Sequence, residues 1–292
     1  MIKRHITGAL VLQNILTLLG LNPASFSLLV AKDRSSLSRY LKGEVAVPND
    51  VLQKSLNLLS NAGIDPLDAL GIPEEKEFYY HAASAPLTGA IDVHRNQGAH
   101  NDFGPGFYLG ESLLQSASYQ REGTPSLYLY RFKKSRFKAL RIYDFDDVPV
   151  LDWFLYIAIN RGKIDARRYG ELIARFQAAL APFDALRGKI ADSFTYQIIE
   201  GLFADIYDLD QAEACSVILA LGDQLCLKNA AFAQSLEPDE LWILEANVAA
   251  YFAAYGSERR ARHDEATTAV LAHPYDPQRL FSKVLEQRYG KK

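Results

Sequence analysis

Two motifs between Glu77 and Tyr119 decide how this sequence reads: Phe78-Tyr79-Tyr80-His81-Ala82-Ala83-Ser84 and Asn101-Asp102-Phe103-Gly104-Pro105-Gly106-Phe107-Tyr108-Leu109. The first is an aromatic strand that delivers one histidine into a loop of small residues. Small side chains after a strand let the backbone approach a flat ligand closely, where amide groups meet main-chain donors and acceptors. The second places two glycines and a proline just before another aromatic strand, and a helix opens after it at Glu111-Ser112. Singly, a histidine is more often a structural hydrogen-bonder, and aromatics beside glycine are commonly turn packing. Their order along the chain is what carries weight.

Working outward, the composition breaks upstream at Leu70-Gly71-Ile72-Pro73, followed by the charged run Glu74 to Glu77, which reads as a linker. Before it the pattern is helical. Apolar positions Leu10, Ile15, Leu18 and Leu19 recur near helical spacing until Asn22-Pro23. Short helices follow around Phe26–Val30 and Ser35–Leu41, the latter ended by Gly43, then a longer one from Pro48-Asn49-Asp50 through Leu59 and a last turn at Pro66. Downstream of the linker, β-like runs at Phe78–His81, Phe107–Leu109, Ser126–Phe132 and Ala139–Tyr143 alternate with helical patterns at Trp153–Asn160, Ala166–Ala181 and Ala212–Leu221. That mixture predicts an α+β domain rather than a regular βαβ alternation. From about Pro238 the chain reads as helices again, with alanine-rich Glu245–Tyr255 and a basic cluster at Arg259–His263 to which no function is assigned. The division is therefore 1–72, 73–238 and 239–292.

The bulk numbers agree with a globular protein. The 292 residues are 49% hydrophobic and 23% charged, enough for a full core, and the net charge of -3 announces no nucleic-acid partner globally. The two cysteines, Cys215 and Cys226, read as a reduced thiol pair, and no metal is expected. The N-terminal apolar run is broken by Gln13, Asn14 and Thr17 without a cleavage site, and no window approaches a membrane span. The expected location is the cytoplasm, with no membrane partner.

The first 72 residues, and above all Asp33-Arg34-Ser35-Ser36-Leu37-Ser38-Arg39-Tyr40-Leu41-Lys42-Gly43, resemble the Cro/repressor class of helix-turn-helix domains. The resemblance implies an all-α bundle whose third helix enters the major groove. Arg34, Ser35, Ser36 and Ser38 would then face bases, and Arg39 and Lys42 would meet phosphates or the core. Met1 to Ile72 holds seven Lys/Arg against five Asp/Glu, a small excess for a DNA binder. The alternative is a dimerisation or docking module on the same scaffold.

Taken in order, the two opening motifs resemble the ADP-ribosyltransferases of the diphtheria-toxin and poly(ADP-ribose) polymerase branch. The segments YHAAS, DFGPGFYL, QSASY, DWFLYIAINR, GKIADS and GDQLCLKN, over Glu77 to about Leu236, are similar to an uncharacterised bacterial domain family of that fold. The implied architecture is a split β-sheet domain with helical insertions between the N-terminal bundle and a helical C-terminal tail. NAD is implied as substrate. His81 would hydrogen-bond the nicotinamide ribose, and the backbone of Ala82, where the family usually has glycine, would hold the carboxamide. Tyr108 would stack on the nicotinamide, Ser112 and Tyr119 would support ring and ribose, and Ser84, Phe103 and Gly104 would belong to the same cofactor site. Arg95, in the loop between the two strands, would suit the pyrophosphate, because a guanidinium makes bidentate phosphate contacts; a solvated loop arginine is the alternative.

The third group of this branch is a glutamate opening a late strand, and the matching position here is Gln224. Cleaving the nicotinamide bond builds positive charge on the ribose, which a carboxylate stabilises while orienting a hydroxyl or taking the acceptor's proton. Glutamine can orient the ribose but offers neither charge nor a base. Single ADP-ribose transfer is then favoured over polymer formation, with Asp192 first and Asp223 second as carboxylates for the acceptor; Asp192 could equally cap the helix starting at Ser193. The resulting expectation is a mono-ADP-ribosyltransferase, of toxin or defence type, acting on a protein or nucleic-acid acceptor and implying a cognate inhibitor. The alternatives are an NAD glycohydrolase, a DNA-binding regulator whose second domain senses a nucleotide, or an inactive partner-binding scaffold.

Overall fold

A computed structural model describes residues 1–73, 75–94, 101–113, 116, 126–190, 193–218, 222–255, 268, 271–272 and 274–289. It is a mixed α+β structure. The strands are β1 (Ile2–Ile6), β2 (Phe78–Ala83), β3 (Phe107–Gly110), β4 (Ser126–Lys133), β5 (Ile142–Asp144), β6 (Ala185–Lys189), β7 (Asp223–Leu227) and β8 (Glu240–Glu245). The helices are α1 (Gly8–Leu19), α2 (Pro23–Leu29), α3 (Arg34–Leu41), α4 (Asn49–Asn61), α5 (Val150–Asn160), α6 (Ala166–Leu180), α7 (Ser193–Phe203), α8 (Leu209–Ile218), α9 (Ala230–Ser235), α10 (246–255) and α11 (Phe281–Tyr289). Among the described residues, no single helix is long and apolar enough to cross a membrane.

The chain divides into two compact units, and they cut across the boundaries at 72 and 238. The first unit comprises Met1–Thr88, Ser112–Lys134 and Glu237–Ser257; the second comprises Gly89–Glu111, Ser135–Leu236 and Glu258–Lys292.

In the first unit the helices start where their caps dictate. Thr7, Asn22 and Asp33 each accept a backbone N–H three residues on, at the heads of α1, α2 and α3. Pro23 takes the first position of α2, where its missing N–H costs nothing. Two expectations fail here. The N-terminal module is not all-α, because β1 precedes its first helix. The C-terminal segment is not all-helical either, because Glu240–Glu245 is a strand that pairs parallel with β1, Ile2 opposite Glu240 through Ile6 opposite Leu244. The strand order within this unit is β1-β8-β4-β2, with β8–β4 and β4–β2 antiparallel. Leu12, Ile15, Phe26, Leu37, Leu52 and Leu56 from the four helices share one buried cluster with Tyr80, Leu129 and Leu244 from the strands and Phe252 from α10. The helical module has no separate core. Polar ties reinforce this: the Gly8 amide donates to Glu245 Oε2 at 2.8 Å, and Asn247 Nδ2 donates to the Val47 carbonyl at 3.0 Å.

The second unit orders its strands β3-β7-β6-β5, antiparallel except for the last pair. Its core gathers around α5, which buries Trp153, Phe154, Leu155, Tyr156, Ile157 and Ala158 in succession. A helix apolar on every side belongs inside, and this one is enclosed by Phe103, Phe145, Leu186, Ile199 and Leu202 from other elements. Near the chain's end α11 contributes Phe281, Val284 and Leu285 to the same core, with the Phe281 ring 4.7 Å from that of Phe203.

Candidate functional site

The expected site residues fall into both units. In the first, His81 sits on β2 opposite Tyr130 of β4, half-buried, with ring centroids 6.3 Å apart and tilted by 40°. The Tyr130 hydroxyl accepts the Leu87 N–H at 2.7 Å, which fastens the loop leaving β2. Burial raises that phenol above its usual range, so it stays protonated. Ala82 is half-buried and Ser84 exposed, consistent with a strand that surfaces as it ends. The Ser112 carbonyl takes both the N–H and the hydroxyl of Ser116, at 3.1 and 3.0 Å. Arg95, Tyr119 and Asp192 lie outside the described residues, as does the basic cluster at 259–263.

In the second unit the loop 101–106 is folded onto the strand that follows it. The Tyr108 hydroxyl donates to the Gly104 carbonyl at 2.6 Å and accepts the Phe103 N–H at 3.1 Å, so the ring is fixed by the turn that precedes its own strand. Burial, with the Cys226 thiol beside it, holds this phenol well above its usual range. It is a hydrogen-bond donor, not an acid. Gly106 cannot be replaced without rearrangement, because a Cβ there would stand 2.3 Å from Cys226 Sγ and 3.0 Å from the Leu227 carbonyl. Lys228 Nζ closes the turn from the other side by donating to the carbonyls of Phe103 and Pro105. Burial lowers the affinity of that amine for its proton and pushes the Cys226 thiol up to about 11.

Phe103 and Gly104 thus act as framework. The Phe103 ring is fully buried and stacks on Phe145 at 5.3 Å, and buried Gly104 adopts φ +71° at the turn. The Phe103 amide and both carbonyls are engaged by Tyr108 and Lys228, and the Gly104 amide by the Asn101 carbonyl, so a ligand would meet the surface these residues support and not their side chains.

Gln224 is the second residue of β7 and only 6% exposed. In the register Gly110 of β3 and Gly188 of β6 lie opposite it, and Tyr108 lies opposite Cys226. Directly opposed residues share a face and alternate residues of a strand share a face, so Tyr108 and Gln224 are on the same side of this sheet. The two glycines leave Gln224 no cross-strand side chain to pack against. Its amide Nε2 donates to Asp102 Oδ2 at 2.9 Å and to the Lys189 carbonyl at 3.3 Å. Both partners are pure acceptors, which fixes the orientation of the amide. Its Oε1 accepts no hydrogen bond among the described residues.

Asp102 was not among the expected site residues. Its carboxylate is buried, with Oδ1 in an ion pair with Arg161, and its backbone carbonyl takes Asn160 Nδ2 at 2.9 Å. The available signal was an ionisable residue abutting an apolar element twice over: Asp102 before the Gly-Pro-Gly turn and Arg161 directly after α5. Asp223, the second carboxylate considered for the acceptor, points to the opposite face of β7. There it pairs with Arg187 of β6, which also holds Asp144 at 2.5 Å, Glu111 at 3.5 Å and Asp146 at 3.9 Å. Among the described residues, no group of three or more His, Cys, Asp and Glu is placed to hold a metal ion.

A family model described as a protein of unknown function, DUF3990, covers residues 78–237. No curated protein and no solved structure matches the chain.

Proposed function

The chain belongs to the DUF3990 family, and from that premise we propose that it is an NAD-dependent mono-ADP-ribosyltransferase acting on a macromolecular acceptor, as a toxin or defence enzyme would. The observation that carries this reading is the Gln224 amide, turned so that its carbonyl oxygen is the open hydrogen-bonding group on the face it shares with Tyr108. A carbonyl acceptor there suits a ribose hydroxyl. It can fix the sugar while the nicotinamide bond breaks, and holding a reactant in one geometry is a large part of any rate enhancement. The same group cannot take a proton, which argues for one transfer per acceptor and against chain growth. Tyr108, locked at its hydroxyl, offers a rigid ring at low entropic cost for stacking on nicotinamide. His81 is assigned the ribose contact through the resemblance of its strand to that of the ADP-ribosyltransferases.

Incubation of the full chain with adenylate-labelled NAD and host lysate tests this. Label should appear on a macromolecule, and His81→Ala and Tyr108→Ala should each lower incorporation by roughly 100-fold. Free labelled ADP-ribose without incorporation would establish hydrolysis instead. No NAD consumption at all would sink the proposal.

A second role, DNA binding through α3, has its own support. Arg34, Ser35, Arg39 and Lys42 are exposed, and Ser36 and Ser38 half-buried, on a helix whose Leu37 is anchored in the core. Part of the charge is already engaged, since Arg39 and Lys42 approach Glu44 at 3.9 and 3.8 Å. Such exposed pairs yield readily to a phosphate backbone. A mobility shift at low salt should weaken at least 10-fold in Arg34→Ala/Arg39→Ala and fall steeply as salt rises. Absence of any shift at low salt leaves α3 as a docking surface.

A further inference from the structure

We infer that Asp102 is a positioning residue for Gln224, and that the negative charge a glutamate at position 224 would carry has been relocated onto Asp102. The inference rests on the reading of Gln224 as the ribose-orienting group. A primary amide has two ends of nearly equal shape, and only its partners decide which end faces a ligand. Here Asp102 Oδ2 and the Lys189 carbonyl both lie against the nitrogen, at 2.9 and 3.3 Å. Turning the amide over would abandon two hydrogen bonds and set its oxygen against two acceptors, at a site where water offers little relief. The Asp102 carboxylate is in turn held in place by Arg161 on its other oxygen. The order of control is therefore Arg161, then Asp102, then the Gln224 amide, then the open carbonyl oxygen.

This arrangement explains why glutamine stands at 224. A glutamate there would bring two carboxylates within about 3 Å of each other, and such pairs do not both ionise near neutrality. A glutamate becomes compatible only if position 102 is simultaneously neutral. In Asp102→Asn/Gln224→Glu the new amide can accept from Arg161 through its oxygen and donate to the new carboxylate through its nitrogen. The hydrogen bonds linking Arg161, position 102 and position 224 are then retained with the charge moved by one residue, and the donation from position 224 to the Lys189 carbonyl is the one contact given up.

The test compares four full-length proteins: wild type, Asp102→Asn, Gln224→Glu and the double variant. Each is followed by thermal melting and by kcat and KM for NAD consumption between pH 5 and 9. Each single substitution should lower the melting temperature by roughly 5 °C or more, and the double should lose clearly less than the sum of the two, short of full recovery because the hydrogen bond to the Lys189 carbonyl is gone. Asp102→Asn should lower kcat about 10-fold with KM nearly unchanged, because Gln224 stays present but loses its fixed orientation. Gln224→Glu alone should acquire a titrating limb in its pH profile that wild type and the double variant lack. Additive losses in the double variant overturn the inference, as does a Gln224→Glu protein that melts and turns over like wild type. If wild type consumes no NAD, the functional reading falls, whereas mutual rescue in melting still decides whether Asp102 and Gln224 share one charge.

Discussion

Arg161→Met is expected to cost about 3–5 kcal/mol of stability, among the largest losses available to a single substitution in this chain. The ion pair with Asp102 is buried on both sides, with the two side chains 8% and 7% exposed. Methionine fills much of the volume of the arginine stem, so the cost is one of charge and not of a cavity. Asp102 would stay buried but lose the Arg161 cation, and a buried carboxylate stripped of an ion-pair partner is less favourable than a pair or a neutral group. The loss should therefore be largely reversed by adding Asp102→Asn, which removes the stranded charge while keeping the shape. Chemical denaturation of wild type, Arg161→Met and the double variant reads this directly. A single variant as stable as wild type, or a double no better than the single, would contradict it. The same substitution also removes the anchor at the head of the Gln224 chain of control, so activity should fall further than stability alone requires.

The sequence makes some of these elements legible and hides others for identifiable physical reasons. The strands at Phe78–Ala83, Phe107–Gly110 and Ser126–Lys133 follow from aromatic and β-branched or leucine-rich runs bounded by turn residues. α1 to α4 follow from helical apolar spacing, the break at Asn22-Pro23, Gly43 behind α3 and Pro48 at the head of α4, whereas the caps Thr7 and Asp33 emerge only from the structure. β8 is missed because Leu241-Trp242-Ile243-Leu244 is a short apolar run next to alanine-rich α10, and periodicity cannot separate a buried strand from a buried helix turn over so few residues. β1 is missed for the opposite reason. Ile2 to His5 are exposed and Lys3-Arg4-His5 show no apolar alternation, because this is an edge strand whose charge guards it against further pairing. Its partner begins only at Glu240, and what is local to Met1–Ile6 gives no hint of it. Arg4 nonetheless stacks over Trp242 at 4.9 Å, a contact that ties the two strands together once they are paired.

The candidate site divides in the same way. His81, Tyr108 and Gln224 are found by the order of short motifs along the chain. What each of those side chains can do depends on partners that no local pattern gives away. The Asp102–Gln224 hydrogen bond spans 122 residues of sequence and the Asp102–Arg161 pair spans 59. Reading Gln224 alone shows a missing carboxylate and directs the search to Asp192 and Asp223. Asp192 lies outside the described residues; the structure places a carboxylate, Asp102, against the amide itself and turns Asp223 away on the opposite face of the strand.

That opposite face carries the second large effect, and its pH dependence has the reverse sign from ordinary acid denaturation. Arg187 is the cation within reach of Glu111, Asp144, Asp146 and Asp223 together. Burial holds the Asp223 carboxyl above its usual range; Arg187 pulls it down, while Asp146, Glu111 and Asp144 push it up. Arg187→Met removes the guanidinium that draws the Asp223 carboxyl down and leaves Asp223 near Asp144, Asp146 and Glu111 without it. A carboxyl whose proton is held more tightly in the folded chain than in the unfolded one makes the folded state bind more protons, so stability falls as pH rises through the folded-state value. The variant should therefore lose about 3 kcal/mol at pH 8, with the partial exposure of Asp144 and Asp146 limiting the figure. The gap to wild type should narrow steadily from pH 7 to pH 5 as the Asp223 carboxyl takes up its proton. Added salt should narrow it too, because the repulsion reaches partly into solvent. Urea titrations of both proteins at pH 5, 6.5 and 8 measure this. A gap that stays constant across that range, or widens toward acid, would mean that Arg187 acts by packing its stem and not by neutralising the cluster.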